Sequence, residues 1–576
     1  MDKSNLKKII DTAAGRTPAE LVIKNCKVID VYNASVIEGD IAVCGGLIAG
    51  VGTYDGKHVV DAKGAYAAPG FIDSHVHIES SYTTPEEFGS LVVPHGTATV
   101  IADPHEIANV CGLAGVNYMI GAAEATALDV KWMLPSCVPV TSFEHAGAAI
   151  DAQDMSEPLS RAEILGLGEF MDFPGVIGAD DAVLEKLLAA KQSGKLIDGH
   201  VPGISGNALN AYAAAGIRGD HECSTVEEMH ARISRGMYVL MRQGSACRDL
   251  RALLKGVTPQ NNRRCLLCTD DCQPRTILRH GHIDHHLRIC VEEGIDPITA
   301  IRMATLNAAE CFGLSNRGGI APGLRADIVL LNNLTEFHVQ KVFLEGRLVA
   351  SDGAYLPPVH KRDASAVSGS MHVKDFSAGR LRLPLKTDRA HAIAVLPDGV
   401  LTAKETVTVK RDADGNFVFD PSLDVVKIAV IERHHHTGNV AVALLKDYGL
   451  RHGAVAMTVA HDSHNIIAVG ANDADMALAV ETLIRLGGGI VLTNGGSVIE
   501  SMALPVAGLM SDHDGAWVDA KLARIHETAH DVLGVSLDVE PMMTLCFMSL
   551  PVIPSLKLTD MGLFDVDAFS FCSVDA

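Results

Sequence analysis

The sequence predicts an α/β protein built around a (β/α)8, TIM-like barrel, with a small β-sandwich formed by the flanking segments and a C-terminal α/β or α+β domain. Two observations predict the barrel. Short apolar runs alternate with stretches of helical period, which is typical of repeated βα units and a parallel sheet. Eight such runs fall within roughly 250 residues, the usual size of such a barrel. A third observation, alternating strand patterns on both sides of this region, predicts the sandwich.

The eight apolar runs place the barrel at residues 67–321. In chain order they read AAPGFID, TATVIAD, KWMLPSCVPV, ILGLGEF, KLIDGH, IRGDHE, MYVLMR and CLLCTD. Because the strands of such a barrel are parallel, their carboxyl ends meet at one face, where the following loops build the active site.

The regions outside the barrel have patterns of their own. Residues 1–66 contain an amphipathic helix and short strands split by Gly and Asn, and residues 322–365 contain further strands and a linker rich in Gly, Pro, Ser and Ala. We expect these two segments to form the sandwich together. Residues 371–576 mix strands with helical segments and are predicted to form the C-terminal domain.

Composition narrows the function classes. The 576 residues are 48% hydrophobic and 20% charged, with a formal net charge of -22. There is no Lys/Arg cluster of the kind that nucleic-acid binding needs, so we expect a small neutral or cationic substrate. We see no signal peptide and no apolar run that could span a bilayer, and the 13 cysteines are typical of reduced thiols, so we expect a cytoplasmic, membrane-free enzyme. Base rates favour a homodimer or a larger homo-oligomer.

Polar residues end seven of the eight predicted strands. The first strand ends in a His-x-His pair, the second runs into an Asp-Pro-His-Glu loop, and the others end in single or paired residues; the full set is His75, His77, Asp103, His105, Glu106, Glu169, His200, His221, Arg242, Asp270 and Asp271. Each alone is compatible with a hydrogen-bonded buried group. A carboxylate such as Glu169 is costly to bury unpaired at the end of an apolar strand, and a metal ion would remove that cost.

Four imidazoles and two carboxylates of this set suit a pair of divalent ions. They are His75, His77, Glu169, His200, His221 and Asp270, with Glu169 as the bridge. His75 and His77 converge only if their strand ends or bulges there, because successive side chains of a strand point to opposite faces. Nitrogen and oxygen donors without thiolate suit Mn, Fe or Zn, and such ions generate hydroxide at neutral pH.

At these residues the sequence resembles the amidohydrolase superfamily. PGFIDSHVHIESS is similar to its first-strand His-x-His signature, and GGIAPGLRADIVLL is similar to the segment that returns to the small sandwich. Relatives often carry a carbamylated lysine at the end of strand four, where this chain has Glu169. That departure, with ADPHEIANVCG, GEFMDFPGV, GHVPG, DHECSTVEE, CTDD and the C-terminal VAHDSHNIIAVG, resembles the adenine deaminase family over nearly the whole chain.

The resemblance implies hydrolytic deamination of adenine to hypoxanthine and ammonia, in purine salvage, with two Mn or Fe ions (Zn being compatible). It implies that a hydroxide bridging the ions attacks C6, and that Asp270, preferred over Asp271, takes its proton and delivers one to the leaving ammonia. Glu169 or an acid of the 103–106 loop would handle the ring nitrogen. The residues implied to hold the base are Asp103, His105, Glu106 and Arg242.

Other chemistries stay open at this point. The superfamily also admits another nucleobase, such as a pyrimidine or guanine, or a cyclic amide such as a hydantoin. A zinc deaminase of the unrelated H-x-E and P-C-x-x-C type has weak support, since Arg264 precedes Cys265 where that signature has proline. Cys265, Cys268 and Cys272 are a candidate for a separate metal cluster, with somewhat more support than the zinc deaminase.

A non-catalytic metal-binding or scaffold protein is the hypothesis from another class. The candidate ligands in the C-terminal region are His434, His435, His436, His461, Asp462 and His464. Alternatively this region is a solvated loop, or it closes over the barrel mouth of its own or a neighbouring subunit. The glycine runs 487–489 and 495–496 are compatible with turns, because no P-loop lysine follows them.

Overall fold

The computed structural model describes residues 2–396 and 401–576. Helix α1 (Lys3–Ala13) begins the described chain, and Asp2 caps it by accepting a hydrogen bond from the Asn5 N–H at 2.8 Å. The strands that follow before the barrel are β1 (Ala19–Asp30), β2 (Ser35–Cys44), β3 (Leu47–Gly52), β4 (Gly56–Asp61) and β5 (Tyr66–Pro69).

The barrel is formed by parallel strands. They are β6 (Phe71–His77), β7 (Thr97–Ala102), β8 (Asp129–Leu134), β9 (Ile164–Phe170), β10 (Leu196–Gly199), β11 (Gly219–Asp220), β12 (Tyr238–Arg242), β13 (Cys265–Cys268) and its continuation β14 (Asp270–Asp271). Neighbouring strands pair in chain order, and β14 pairs with β6 to close the ring. Between β10 and β11 the Arg218 N–H donates to the Ile197 carbonyl at 2.9 Å. The predicted (β/α)8 class is thus confirmed.

One predicted strand divides into two. Tyr66–Pro69 pairs with the flanking sheet, and the barrel strand begins at Phe71. Gly70 lies between the two strands in a close approach that excludes a side chain, because a Cβ at that position would lie 2.4 Å from the Cβ of Ala98. The apolar run AAPGFID therefore belongs half to each sheet.

Helices cover the outside of the barrel and fill its loops. They are α2 (Pro85–Val92), α3 (His105–Ala123), α4 (Ser156–Ser160), α5 (Phe173–Gly178), α6 (Asp181–Gln192), α7 (Gly206–Ala214), α8 (Val226–Ile233), α9 (Leu250–Leu254), α10 (Pro274–His280), α11 (Ile283–Glu292), α12 (Pro297–Met303) and α13 (Leu306–Cys311). Helix α3 begins directly after β7, which places His105 and Glu106 at the barrel mouth.

The two segments that flank the barrel join in one sheet. The chain returns as β15 (Ile328–Leu331), β16 (Val339–Leu344), β17 (Arg347–Ser351) and β18 (Ala354–Tyr355), and β15 pairs antiparallel with β5. Within the described chain the order is β18-β17-β16-β15-β5-β1-β2-β3, with β4 beside β1. Ile23, Ile41 and Phe343 pack in its core.

The C-terminal region contains a second large sheet. Its strands and helices are β19 (Arg389–Val395), β20 (Thr402–Thr408), β21 (Lys410–Arg411), β22 (Phe417–Val418), β23 (Val425–Ile431), β24 (Val440–Lys446), β25 (Ala454–Met457), β26 (Ile466–Gly470), α14 (Asp473–Leu486), β27 (Gly489–Asn494), β28 (Ser497–Ala503), α15 (Gly515–Asp531), α16 (Pro541–Cys546), β29 (Leu556–Thr559), β30 (Gly562–Asp565) and β31 (Ser570–Phe571). The main sheet has the order β20-β19-β24-β23-β26-β25-β27-β28. Gly487 ends α14 with φ of 78°, and Gly495 and Gly496 form the β27–β28 turn.

The C-terminal region packs against the barrel face where the active site is expected. The Ser511 N–H donates to the Tyr82 carbonyl at 2.8 Å, and the Asn465 side-chain amide donates to the His145 carbonyl at 2.8 Å. Apolar side chains of both regions form one continuous core. Across the described residues, no helix is both long and apolar enough to cross a membrane.

Candidate active site

Glu169, at the end of β9, lies at the centre of a ring of histidines. The residue is 3% exposed. Its Oε1 is 3.3 Å from His77 Nε2 and 3.2 Å from His105 Nδ1. Its Oε2 is 2.8 Å from His200 Nδ1 and 3.1 Å from His221 Nε2. One carboxylate therefore faces four imidazoles from four different strand ends.

His75 and His77 converge because their strand is irregular at its end. The register of β6 against β7 shifts between Asp73 and Val76, which changes the alternation of side chains. The two Nε2 atoms lie 3.1 Å apart. Asp270 Oδ1 is 3.2 Å from His77 Nε2 and 4.0 Å from His75 Nε2.

Asp270 and Asp271 have different partners. Asp270 has φ of 60°, in the left-handed region, and begins β14. Its carboxylate faces the two histidines, whereas the Asp271 carboxylate accepts a hydrogen bond from the Ser80 hydroxyl. The geometry thus brings Asp270 into the cluster and turns Asp271 towards the loop after β6.

Neighbouring groups orient the rings. The His77 Nδ1–H donates to the Asp103 carbonyl at 3.0 Å, which turns Nε2 towards Glu169 and Asp270. His75 Nδ1 lies 3.7 Å from Asp198 Oδ2. Asp103 Oδ2 accepts the Glu169 N–H at 2.9 Å and so fixes the backbone that carries the central carboxylate.

The electrostatics of the site favour added positive charge. Burial raises the pKa of Glu169, but His221 and the hydrogen bonds from His105 and His200 outweigh it and hold this pKa well below its ordinary value. Burial and His105 lower the pKa of His77, yet the hydrogen bond to Asp270 and the Glu169 charge raise it well above its ordinary value. A buried pocket that stabilises cationic rings suits divalent cations.

The donor atoms fit a pair of metal ions. His75, His77 and Asp270 each offer an atom within 4.8 Å of one another, and so do His75, Glu169 and His221. The Nε2 atoms of His75 and His77 face each other at 3.1 Å and have room for at most one proton between them. Two lone pairs at this distance repel each other, and a cation bound to both removes the repulsion. The donors are nitrogen and oxygen, a set that suits Mn, Fe or Zn. His77, His105 and Glu169 form a further set of close donor atoms, which places His105 next to the carboxylate that is expected to bridge the ions.

The remaining predicted residues have distinct positions. His105, Glu106 and Arg242 line a cavity of about 940 Å³ at the barrel mouth. Arg242 is also tied to carboxylates: it lies 3.1 Å from Asp270 Oδ2 and contacts Glu222 and Asp249. Among the described residues that line the cavity, Asp103 is absent.

Sequence reasoning missed two carboxylates of the site. Glu222 lies 3.5 Å from His221 Nε2 and 3.7 Å from His200 Nδ1, and it contacts Arg242. Asp198, two residues before His200, places its Oδ2 at 3.7 Å from His75 Nδ1. Two features of the sequence could have identified these carboxylates. Glu222 directly follows His221, and Asp198 forms an Asp-x-His pattern with His200 at the end of the fifth apolar run.

The C-terminal region forms one wall of the cavity, through His461, Asp462, Met543, Phe547 and Val552. His461 Nδ1 lies 2.6 Å from Glu106 Oε1, and His464 Nε2 contacts Glu106 Oε2. We call Glu106, His461 and His464 the Glu106 clamp. This arrangement favours closure over the chain's own barrel mouth.

The other candidate metal ligands have ordinary partners. His434 Nε2–H donates to the Ser463 carbonyl at 2.7 Å, and His435 Nε2–H donates to the Ala146 carbonyl at 2.7 Å. Cys265 and Cys268 lie in β13, and burial raises the pKa of Cys265 to about 12. Both cysteines are fully buried in this barrel strand, which is the usual position of a structural thiol.

Comparison with known proteins agrees with this geometry. Residues 66–349 match the amidohydrolase family, and residues 399–570 match the adenine deaminase C-terminal domain. "Adenine deaminase 2" of Desulfotalea psychrophila is 66% identical over 576 residues, 100% of both chains. "Adenine deaminase" of Nitratidesulfovibrio vulgaris is 52% identical over 569 residues, 99% of each chain. That of Ligilactobacillus salivarius is 50% identical, over 100% of this chain and 99% of the relative.

A barrel with histidines and carboxylates at its strand ends is the architecture of the amidohydrolases, whose chemistry uses divalent metal ions. Within that class, the high sequence identity to adenine deaminases over the full length shows that the chain belongs to the adenine deaminase family.

Proposed function

We propose that this chain catalyses the hydrolytic deamination of adenine to hypoxanthine and ammonia, as a step of purine salvage in the cytoplasm. The observation that carries the proposal is the Glu169 carboxylate at the centre of four strand-end histidines. The names of relatives at 66% and 52% identity over the full chain support the choice of substrate. We expect a homodimer or larger homo-oligomer, without nucleic acid.

The proposed cofactor is a pair of Mn or Fe ions, with Zn as a compatible third metal. One position would be held by His75, His77 and Asp270, the other by His200 and His221, with Glu169 shared. When bound, such ions supply a water of lowered pKa and polarise the substrate atom under attack. Asp198 and the Asp103 carbonyl would hold two of the rings in their ligating orientation.

Asp270 is proposed to move the protons. Its Oδ1 faces the histidines, and its Oδ2 lies 3.1 Å from Arg242 Nη1, an ion pair that keeps the carboxylate ionised and in place. It would take a proton from the attacking water and deliver one to the departing amino group, so that adenine and water give hypoxanthine and ammonia. The overall proton count is then balanced within the site.

The purine would lie in the cavity between the barrel mouth and the C-terminal wall. His105, Glu106 and Arg242 line this space and are proposed to hold the base. Asp103 is buried behind Glu169, so its geometry favours support of the bridge over contact with the base. Glu169 or an acid of the 103–106 loop is proposed to protonate the ring nitrogen of the purine.

Adenine turnover with and without metal tests this proposal. Protein prepared with Mn should release ammonia from adenine, and protein freed of metal by a chelator should not until Mn is restored. Guanine, cytosine and a hydantoin in the same assay separate adenine deamination from the other activities of the superfamily. No ammonia from adenine in either preparation would refute the proposed function.

A further inference from the structure

We propose that Asp462, in the C-terminal loop that covers the barrel mouth, recognises the substrate by accepting a hydrogen bond from the N9–H of the free purine base. This inference rests on the proposed function and adds a residue outside the barrel to it. The C-terminal region would then select the free base over N9-substituted purines such as nucleosides.

The Asp462 carboxyl group is buried without a hydrogen-bond donor. The residue is 3% exposed and lines the cavity. Within the described ranges no donor reaches its Oδ2. Its Oδ1 lies 3.9 Å from His105 Nε2 and 3.8 Å from His461 Nδ1, beyond hydrogen-bond distance. A buried carboxyl group in this state is costly, and a ligand that donates a hydrogen bond repays the cost.

The loop around Asp462 is fixed by its neighbours and not by Asp462 itself. The His461 N–H donates to the Cys546 carbonyl at 3.0 Å, and the Ser549 hydroxyl donates to the His461 carbonyl at 3.2 Å. The His464 N–H donates to the Ala460 carbonyl at 2.7 Å. Since the backbone is held on both sides, the carboxyl group is presented to the cavity without taking part in the fold.

A metal ion is a poorer explanation for this loop. His464 Nδ1 accepts the Ala460 N–H at 3.1 Å, so its proton is on Nε2, which faces Glu106. A protonated Nε2 donates to the carboxylate and cannot ligate a metal. The Glu106 clamp is therefore a set of hydrogen bonds that joins the barrel to the loop, and Asp462 stands beside it as the unpaired acceptor.

The position of Asp462 suits the distal edge of a purine. The His105 ring separates it from Glu169: Nδ1 of that ring is 3.2 Å from Glu169, and Nε2 is 3.9 Å from Asp462. In a purine bound with C6 near Glu169, the six-membered ring lies next to Glu169 and the five-membered ring, which carries N9, lies beyond it. N9 is then at the side of the cavity where Asp462 lies. Free adenine carries a hydrogen on N9, which a nucleoside replaces with a sugar. A site built around an N–H donor rejects a ligand that lacks it, because the acceptor is then left unpaired.

The test compares Asp462→Ala and Asp462→Asn with the wild-type enzyme loaded with Mn. We expect kcat/KM for adenine to fall about 10- to 100-fold in Asp462→Ala, mainly through KM, and less in Asp462→Asn, whose amide oxygen still accepts. The inhibition constant of 9-methyladenine should change far less. The preference for adenine over 9-methyladenine should therefore shrink by about as much as the adenine KM rises. Metal content and thermal midpoint should match the wild type.

The matched control is Glu144→Gln. Burial, and after it the nearby Asp462 carboxyl group, raise the pKa of Glu144 well above its ordinary value, but Glu144 is absent from the described lining of the cavity. This variant should keep both the KM for adenine and the preference over 9-methyladenine.

Three outcomes would overturn the inference. One is an unchanged KM for adenine in folded, metal-loaded Asp462→Ala. Another is an equal loss of affinity for adenine and 9-methyladenine, which indicates a general structural role. In the third, the wild-type protein itself releases no ammonia from adenine; the proposed function then fails, and this inference falls with it. If Asp462→Ala does not fold, Asp462→Leu, which has a similar shape and no acceptor, decides by the same ratio of constants.

Discussion

Two clusters of histidines and carboxylates meet at the barrel mouth, and His77 in one and His464 in the other differ in the backbone partner of Nδ1. In the barrel cluster (His75, His77, Glu169, His200, His221 and Asp270) the His77 Nδ1–H donates to the Asp103 carbonyl, so Nε2 faces Glu169 and Asp270, where it can bind a cation. In the Glu106 clamp the His464 Nδ1 accepts the Ala460 N–H, so Nε2 carries the proton. We therefore propose that the same residue types hold a metal in the barrel cluster and form a hydrogen-bonded contact in the clamp. For His77 and His464 the backbone partner of Nδ1, a carbonyl in one and an N–H in the other, makes the difference.

The largest expected effect comes from Glu169→Gln, which removes the shared carboxylate and keeps its shape. Because four rings face its two oxygens, we expect loss of bound metal and a fall in adenine turnover of about a thousandfold or more. Elemental analysis and ammonia release measure the two effects. Glu106→Gln is the matched control: it should reduce activity but retain the metal. Loss of metal from that control would place the clamp within the metal site.

Asp270→Asn is expected to have the next largest effect. If Asp270 moves protons in addition to its contact with His77, turnover should fall by about 10²- to 10⁴-fold in protein that is saturated with Mn. Asp271→Asn should lose much less, since Asp271 is occupied by the Ser80 hydroxyl. Near-wild-type turnover in Asp270→Asn with unchanged metal occupancy would refute the proton-transfer role.

A smaller effect is expected when the clamp is broken at His464. His464→Ala leaves one oxygen of buried Glu106 without its donor, so we expect about a tenfold loss of turnover with metal content unchanged. His464→Gln restores an N–H donor and should recover part of the loss. If both variants lost metal, the contrast between the two clusters would be wrong.

Much of the fold and of the barrel cluster could be predicted from the sequence. Strand ends are readable because an apolar run stops at a polar residue, and barrel topology brings all such ends to one face. This is why residues as distant as His75 and Asp270 could be grouped before any contact was known. The class of the fold is confirmed by the parallel pairing of the barrel strands.

The contact between Glu106 and the C-terminal loop could not be predicted in this way. Nothing in the periodicity of either segment states that residues 106 and 464, which are 358 positions apart, share a hydrogen bond. The protonation of His464 depends on a backbone N–H that only the folded loop presents. Arg242 illustrates the same limit: its charge was visible, but its ion pairs with Glu222 and Asp249 depend on side-chain packing.

The smallest expected effect concerns a third contact between a histidine and a carboxylate, remote from the barrel mouth. Asp284 accepts the His282 N–H at 2.7 Å, lies 3.0 Å from Arg288 Nη1 and lies 3.4 Å from His95 Nδ1. Burial raises the pKa of Asp284, but His95 and Arg288 outweigh it and set this pKa at about 2, below the ordinary value of 3.8. Here an arginine supplies the positive charge that a metal would supply in the barrel cluster, so the contact should act on stability alone.

Since the pKa of Asp284 is lower in the folded state than in the unfolded chain, its contribution is present above about pH 4 and is lost as the pH falls through about 2. The difference corresponds to about 2 kcal/mol of unfolding free energy. Thermal midpoints measured from pH 6 down to pH 3 should therefore show Asp284→Asn less stable than wild type at pH 6, with the gap narrowing towards pH 3. The exposed Asp512→Asn should show no such trend. A gap that stays constant with pH would mean that Asp284 stabilises the fold through shape and hydrogen bonding and not through its charge, and adenine turnover at pH 7 should be unaffected in either case.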